Sequence, residues 1–322
     1  MLLLWWVFRG EDLGAIARRL SAADPAWLVV TGGISTGGGL IGALRWRLLL
    51  EPLGASTLNA RWAALNIGFM VTNLFPARLG EIVRPFALSR MAPVSMASAL
   101  GTVVIERLLD VVALLILFVA TVLSPAFPDS ASIMGRSIGY AVSGAAVVVV
   151  VALAFVAVMI LWPTRVIRLA EAIGKQLPSS LREGFTGKTE AFLSGLDVVR
   201  RPAVLLKALL WSLLLWAWWA TAIWAAFRAF GIELGFTAAM FTQCAVSIFI
   251  ALPAGPGFIG AMEAGVSVSL HEVFAIPTEA TLSLAVGYHL AGFVPVTLLG
   301  LYYASTLGLR LGSIGSEAER AL

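Results

Sequence analysis

Charged residues are scarce in this 322-residue chain: Asp, Glu, Lys and Arg make up 12% of it, against 60% hydrophobic residues and a mean hydropathy of +0.94. Soluble domains carry roughly 25% charged residues, and a water-soluble fold could not hide this much apolar surface, so the composition excludes a soluble globular protein. Cysteine is nearly absent. Cys244 stands alone inside an apolar run, which rules out an intrachain disulfide and leaves the redox compartment open; its plain reading is a small buried hydrophobe. The chain offers no metal-binding cluster, no phosphate-cradling P-loop and no nucleophile with an obvious partner. No cofactor or metal is expected, and the chain does not read as an enzyme. Its net charge of +4 does not point to nucleic acid, because the basic residues are concentrated in one segment, Pro163 to Lys207, with eight Lys or Arg against four Asp or Glu.

Long apolar runs are what the chain has instead. Ala26–Leu44, Ala99–Ser124, Ser137–Trp162, Ala208–Phe227 and Ala280–Leu309 each approach or exceed the roughly 20 residues that cross a bilayer. The pattern predicts an all-α polytopic membrane protein with about six to eight membrane helices. We read residues 1–322 as a single membrane domain: a first half over 26–124, a central span and basic loop over 137–207, and a second half over 208–309. The positive-inside rule puts the 163–207 loop in the cytoplasm, against anionic lipid headgroups, and parity puts the C-terminus there too. Residues 10 to 25, opening Gly10-Glu-Asp-Leu-Gly-Ala-Ile-Ala-Arg-Arg-Leu20, are amphipathic and charge-balanced and read as an interfacial helix. Met1 to Phe8 is too short to span and lacks the marks of a signal peptide, so it reads as the tail of a first helix. The glycines of Thr31-Gly-Gly and Thr36-Gly-Gly-Gly39 would let another backbone approach, and Arg45-Trp-Arg47 reads as the basic end of that span. The tryptophans between Trp211 and Trp224 read as anchors and packing groups rather than a binding cage.

Two apolar segments are interrupted. Sixteen uncharged residues, Trp62 to Ala77, run into Arg78-Leu-Gly80-Glu81-Ile-Val-Arg84-Pro85, three charges in seven residues. Pro76 and Gly80 break the segment and Arg84-Pro85 is expected to stop it again. Arginines flank both ends, so a re-entrant hairpin over about 62–90, entered from the cytoplasm, satisfies the pattern, since irregular backbone at membrane depth survives only beside protein or a watery cavity. Leu234 to Met262 is uncharged for 29 residues but is cut by Pro253-Ala-Gly255-Pro256-Gly257, with Glu263 following. It reads as a second hairpin, about 236–275, entered from the opposite side. Paired interruptions of this kind point to an inverted repeat with a substrate site between the halves.

Three ordered motifs, Asn73-Leu-Phe-Pro-Ala-Arg-Leu-Gly-Glu81 with Arg84, Glu106-Arg-Leu-Leu-Asp110, and Pro253-Ala-Gly-Pro-Gly257 with Glu263, resemble the lysylphosphatidylglycerol synthase transmembrane, or flippase-like, family. The resemblance covers about Ala26 to Leu309. It implies a membrane-embedded lipid translocator whose two-domain relatives carry a soluble C-terminal aminoacyl transferase. Here the sequence stops soon after Leu309, so the resemblance supports lipid flipping over lysyl-lipid synthesis; substrate identity does not carry over, because the family is heterogeneous.

The residues of these motifs suit the task. Guanidinium groups make bidentate, charge-assisted bonds to phosphate, so Arg78, Arg84 and Arg107 are expected to line a cavity near the cytoplasmic hairpin. Glu81, Glu106, Asp110 and Glu263 would neutralise them when the site is empty, or take a cationic headgroup or coupling proton. Asn73, Gly255, Pro256 and Gly257 complete the expected substrate-binding set. The competing reading is that these charges only pair with one another, as the three-residue spacings Arg78 to Glu81 and Glu81 to Arg84 allow on a helix. His271 and His289 read as packed or interfacial histidines ahead of proton relays. The expected function is translocation of a phosphate-containing lipid (a phospholipid, aminoacyl-phospholipid or polyprenyl-phosphate-linked lipid) across a bacterial-type plasma membrane. An integral-membrane transferase with Glu106, Asp110 or Glu263 as base, and a non-transporting scaffold, stand as alternatives. Homo-oligomerisation is left open.

Overall fold

The computed structural model describes residues 2–76, 78–128, 131–133, 136–140, scattered positions from 143 to 168, 191–251, 255–309 and 312. Much of the Ser137–Trp162 run, nearly all of the basic loop between 163 and 190, and Pro253-Ala254 of the second interruption lie outside the described residues. Two short helices come first, α1 (Leu2–Phe8) and α2 (Leu13–Ser21), followed by α3 (Pro25–Leu50), α4 (Leu58–Leu74), α5 (Gly80–Ser89) and α6 (Met96–Val122). A two-residue antiparallel ladder joins β1 (Ser132–Ile133) to β2 (Arg136–Ser137). The second part holds α7 (Pro202–Ala229), α8 (Phe236–Ala251), α9 (Ala261–Ser267) continued by a π-turn (Val268–Val273), and α10 (Thr278–Thr306).

The helix starts follow from local chemistry. Asp12 and Asp24 accept from the first free N–H groups of α2 and α3, Thr57 and Ser95 do the same for α4 and α6, and Pro25 occupies the first turn of α3, where its missing N–H costs nothing. By length and apolar content, three of the described helices can cross a membrane: α3, α7 and α10. α6 is as long, at 27 residues, but carries Glu106, Arg107 and Asp110 in its middle. The amphipathic segment forms α2, and it lies against α10, with Ile16 buried and Arg19 3.7 Å from Glu279.

Helix α3 owes its neighbours to its glycines. Trp218 and Trp219 of α7 lie over Gly37 and Gly38 and donate their indole N–H groups to Ile34 O (2.7 Å) and Ser35 O (3.2 Å). On another face, a methyl group at Gly32 would come within 2.7 Å of Ala291 O on α10. The tryptophans therefore pack a helix pair, as expected of them, although it is indole rings rather than a backbone that fill most of the glycine groove.

Both interrupted segments fold back on themselves. Helix α4 ends at Leu74 and the chain returns as α5 from Gly80, which sits so close to Gly68 O and the Thr72 hydroxyl that no side chain fits. Gly80→Ala should therefore pry α5 from α4, at a cost of about 1–3 kcal/mol typical of overpacking, read as a lower midpoint of thermal unfolding in detergent. In the second segment a methyl at Gly265 of α9 would lie 2.6 Å from Val246 Cα of α8. Pro85 does not stop α5, contrary to the sequence expectation: it falls in the second turn, so the helix forgoes only the bond to Glu81 O and continues to Ser89. Two apolar clusters hold these pieces. Trp46, Leu49, Ile67, Met70, Val83 and Leu88 tie α3 to α4 and α5, and Ile223, Phe227, Val266, Leu270 and Leu284 tie α7 to α9 and α10.

Candidate functional site

The interruptions meet around a cavity of about 280 Å³, walled by α3 to α10 and the turn before α9. Seven charged side chains line it: Arg45, Arg78, Arg84, Arg107, Glu81, Glu106 and Asp110. A larger groove of about 1230 Å³ lies on the other side of the α3–α10 seam, lined by Val29, Gly33, Leu40, Trp62, Leu290 and Val294 among others, with no charged residue.

Glu106 is the hub. Arg84 grips it with a two-pronged fork, Nη1 to Oε1 and Nη2 to Oε2, both 2.7 Å. Arg45 Nη2 lies 2.9 Å and Arg107 Nη2 2.6 Å from Oε1. Asp110, one turn along, takes Arg45 Nη1, the indole N–H of Trp216 at 3.1 Å and, on Oδ2, Arg107 at 3.3 Å. Ser212 accepts a further Arg45 bond at 2.7 Å. The Arg84 guanidinium lies 3.8 Å above the Trp46 ring, whose N–H is anchored on Thr102 Oγ1 at 2.9 Å. Arg45, Arg84, Glu106 and Asp110 are buried, whereas the Arg107 side chain is 43% exposed. Across the lining, four arginines face three carboxylates, one positive charge in excess. The Nε atoms of Arg45, Arg84 and Arg107 and Gln243 Oε1 are buried without a hydrogen-bond partner among the described residues. Unsatisfied buried donors are costly and call for a partner.

The first interruption contributes Arg78 and Asn73. Arg78 has φ 54°, the left-handed region that side chains avoid, and its guanidinium donates to Ile250 O, lies 5.4 Å from the Phe258 ring centre and 3.8 Å from Glu81. Asn73 donates to Thr297 Oγ1 at 2.8 Å. The spacing-based pair Arg78–Glu81 is present, but Arg84 turns away from Glu81 to Glu106, because its side of α5 is packed against Trp46 and α6.

In the second interruption Gly257 lines the cavity, while Gly255 and Pro256 start the 3₁₀ turn behind it and are not part of the lining. Glu263 also stands back, and among the described residues no arginine pairs with it. It accepts the Gly260 N–H at 2.7 Å and meets His289 Nδ1 at 2.6 Å. Its partner is on α10, out of reach of any local spacing rule.

Sequence reasoning missed Arg45, Trp216, Gln243 and His289 as cavity residues. Arg45 was read as the end of a span, yet α3 runs on through Leu48-Leu-Leu50, and that apolar continuation is the signal that Arg45 lies inside. His289 stands mid-helix between Tyr288 and Leu290 in a 29-residue apolar helix, a place where a polar group calls for a partner.

No curated protein matches this chain. The family model for the lysylphosphatidylglycerol synthase TM region matches residues 1–300. With nearly its whole length matched and apolar helices long enough to span a bilayer, the chain belongs to that family of membrane proteins tied to lipid metabolism or transport.

Proposed function

We propose that this chain is a flippase-like translocator that moves a phosphate-containing lipid between the leaflets of a bacterial-type plasma membrane, without chemical conversion. The observation that carries the reading is the excess positive charge of the cavity, beside three buried arginine Nε–H groups without a partner among the described residues. A singly charged phosphodiester would neutralise that excess. An ion cluster that served only to pin helices would be charge-balanced and fully bonded.

In this reading the chain is one multi-pass membrane domain of two inverted halves, with both interruptions re-entrant and the C-terminus cytoplasmic. Arg45 and Arg84 hold Glu106 and Asp110 in place, Arg107 reaches the phosphate, and Arg78 swings between Ile250 O and the lipid. Asn73, Glu81 and Gly257 shape the entrance. Residues 163–207 would lie on anionic headgroups of the cytoplasmic leaflet.

Purified protein in liposomes carrying headgroup-labelled phosphatidylglycerol, aminoacyl-phosphatidylglycerol or a polyprenyl-phosphate-linked lipid should move label between leaflets. Arg78→Ala should slow that movement roughly tenfold, the loss expected for about 1.5 kcal/mol of charged hydrogen bonding, with expression unchanged. Failure with every phosphate lipid would sink the translocator; a chemically altered lipid would make the chain a transferase instead.

A further inference from the structure

His289 lies on the wall of the cavity and is only 9% exposed. Both of its ring nitrogens face oxygen: Nδ1 is 2.6 Å from Glu263 Oε1 and Nε2 is 2.8 Å from Gly257 O. A backbone carbonyl can only accept, so Nε2 carries a proton. A neutral imidazole has just one N–H, and a bare Nδ1 lone pair would repel a carboxylate oxygen at that distance. A second proton therefore sits between Nδ1 and Oε1. The pair holds one proton more than neutral imidazole plus carboxylate, and is electrically neutral with it.

We propose that the Glu263–His289 pair is a proton-binding site that couples lipid movement to proton movement in the same direction, one proton accompanying each anionic lipid. This rests on the translocator reading.

Two features link the proton to the lipid. Loss of the proton leaves a net negative pair on the wall of a cavity that attracts a phosphate, so proton and anion favour each other's binding, and by linkage each promotes the other's retention. The pair also braces the contact between the two interruptions. His289 holds Gly257 O, Glu263 holds the Gly260 N–H, and between them Phe258 lies against Arg78. Arg78 and Phe258 have φ 54° and 58°, strained for residues with side chains. Once the proton leaves to cavity water, a neutral imidazole has one N–H and cannot hold Gly257 O and Glu263 together. One anchor opens, the strained contact can relax, and the lipid is released beside a fresh negative charge.

The surroundings leave this pair distinct. Charged and titratable groups on the elements packed against α10 are Arg18 and Arg19 on α2, Arg45 and Arg47 on α3, and Arg61 on α4. Lys207 and Arg228 stand near the two ends of α7, His271 and Glu272 lie in the π-turn, and Glu279, Tyr288, Tyr302 and Tyr303 are on α10 itself. Cys244 is on α8, and Arg9 and Glu11 follow α1, the two helices that pack on α9. Among the described residues, Glu263 is the titratable group within hydrogen-bonding distance of the imidazole. The others that share its cavity are Tyr288 and the arginine–carboxylate lining.

The test uses the full chain in phosphatidylcholine vesicles with headgroup-labelled phosphatidylglycerol, a pH-sensitive dye in the lumen and an imposed pH gradient. Label should move with the proton gradient, up to about tenfold leaflet asymmetry per pH unit, the mass-action limit for one proton per lipid, and an outward-to-inward lipid gradient should acidify the lumen. In His289→Gln and Glu263→Gln the ratio of rates with and without the gradient should fall to one. Label that equilibrates in the wild-type protein with no response to the gradient and no lumenal acidification overturns the coupling and leaves the translocator standing. Absence of movement for any phosphate lipid overturns both. The wild-type arm decides the matter even if a variant fails to fold.

Discussion

Glu106→Gln is expected to lower the stability of the detergent-solubilised protein by about 3–5 kcal/mol, the loss that follows removal of one partner from a buried charge pair. Glu106 is 1% exposed and receives Arg45, Arg84 and Arg107 on two oxygens at 2.6 to 2.9 Å. An amide keeps one acceptor and turns an N–H toward one of those guanidinium groups. Three arginines would then face Asp110 alone, so the excess charge of the core cluster rises from one to two. Thermal unfolding followed by tryptophan fluorescence should show a fall on the order of 10 °C, with Glu106→Asp in between because it keeps the charge but falls one methylene short. An unchanged midpoint would mean that the cluster is not the buried hub described.

Arg107→Gln should do the opposite, leaving the fold nearly intact and cutting lipid movement by roughly 10- to 100-fold. Arg107 is the exposed member: its side chain is 43% accessible, against 2% and 7% for Arg45 and Arg84. Without it, Arg45 and Arg84 still balance Glu106 and Asp110, so no buried charge is orphaned. What is lost is the excess positive charge and a charged hydrogen bond to phosphate, about 1.5–3 kcal/mol, or one to two factors of ten. Arg107→Lys should restore part of the activity, because the charge returns without the planar fork. Normal transport together with a marked loss of stability in Arg107→Gln would make these charges structural. The two substitutions thus separate the reading in which the motif binds lipid from the one in which it only holds helices together.

The helical membrane class, the two interruptions and most of the charged set were legible in the residues, for a reason of solvent. In a bilayer every apolar run and every proline or ionisable group at depth stands out, because lipid tolerates neither an unpaired backbone nor an unpaired charge. Asn73, Arg78, Glu81, Arg84, Glu106, Arg107 and Asp110 were recognisable as a group on that ground, and all of them line one cavity. The partners were not recognisable. Local spacing proposes Glu81 for Arg84, three residues away, but Arg84 is held by Glu106, 22 positions on, because the fold-back at Gly68 and Gly80 turns that face of α5 toward α6. Spacing likewise leaves Glu263 among the arginines, while packing of α9 on α10 hands it to His289, 26 positions later.

The physical divide is between what a residue needs and who supplies it. Amino-acid type dictates the need: a carboxylate in an apolar helix must find a donor, and a glycine run must find something to fill it. Helix packing chooses the supplier, since ion pairs and indole contacts here join segments separated by tens to hundreds of residues, such as Arg45 to Asp110 and Trp218 to Ile34, 65 and 184 positions apart. That choice made Arg45 part of the polar core rather than the end of a span, and set an oxygen against each ring nitrogen of His289.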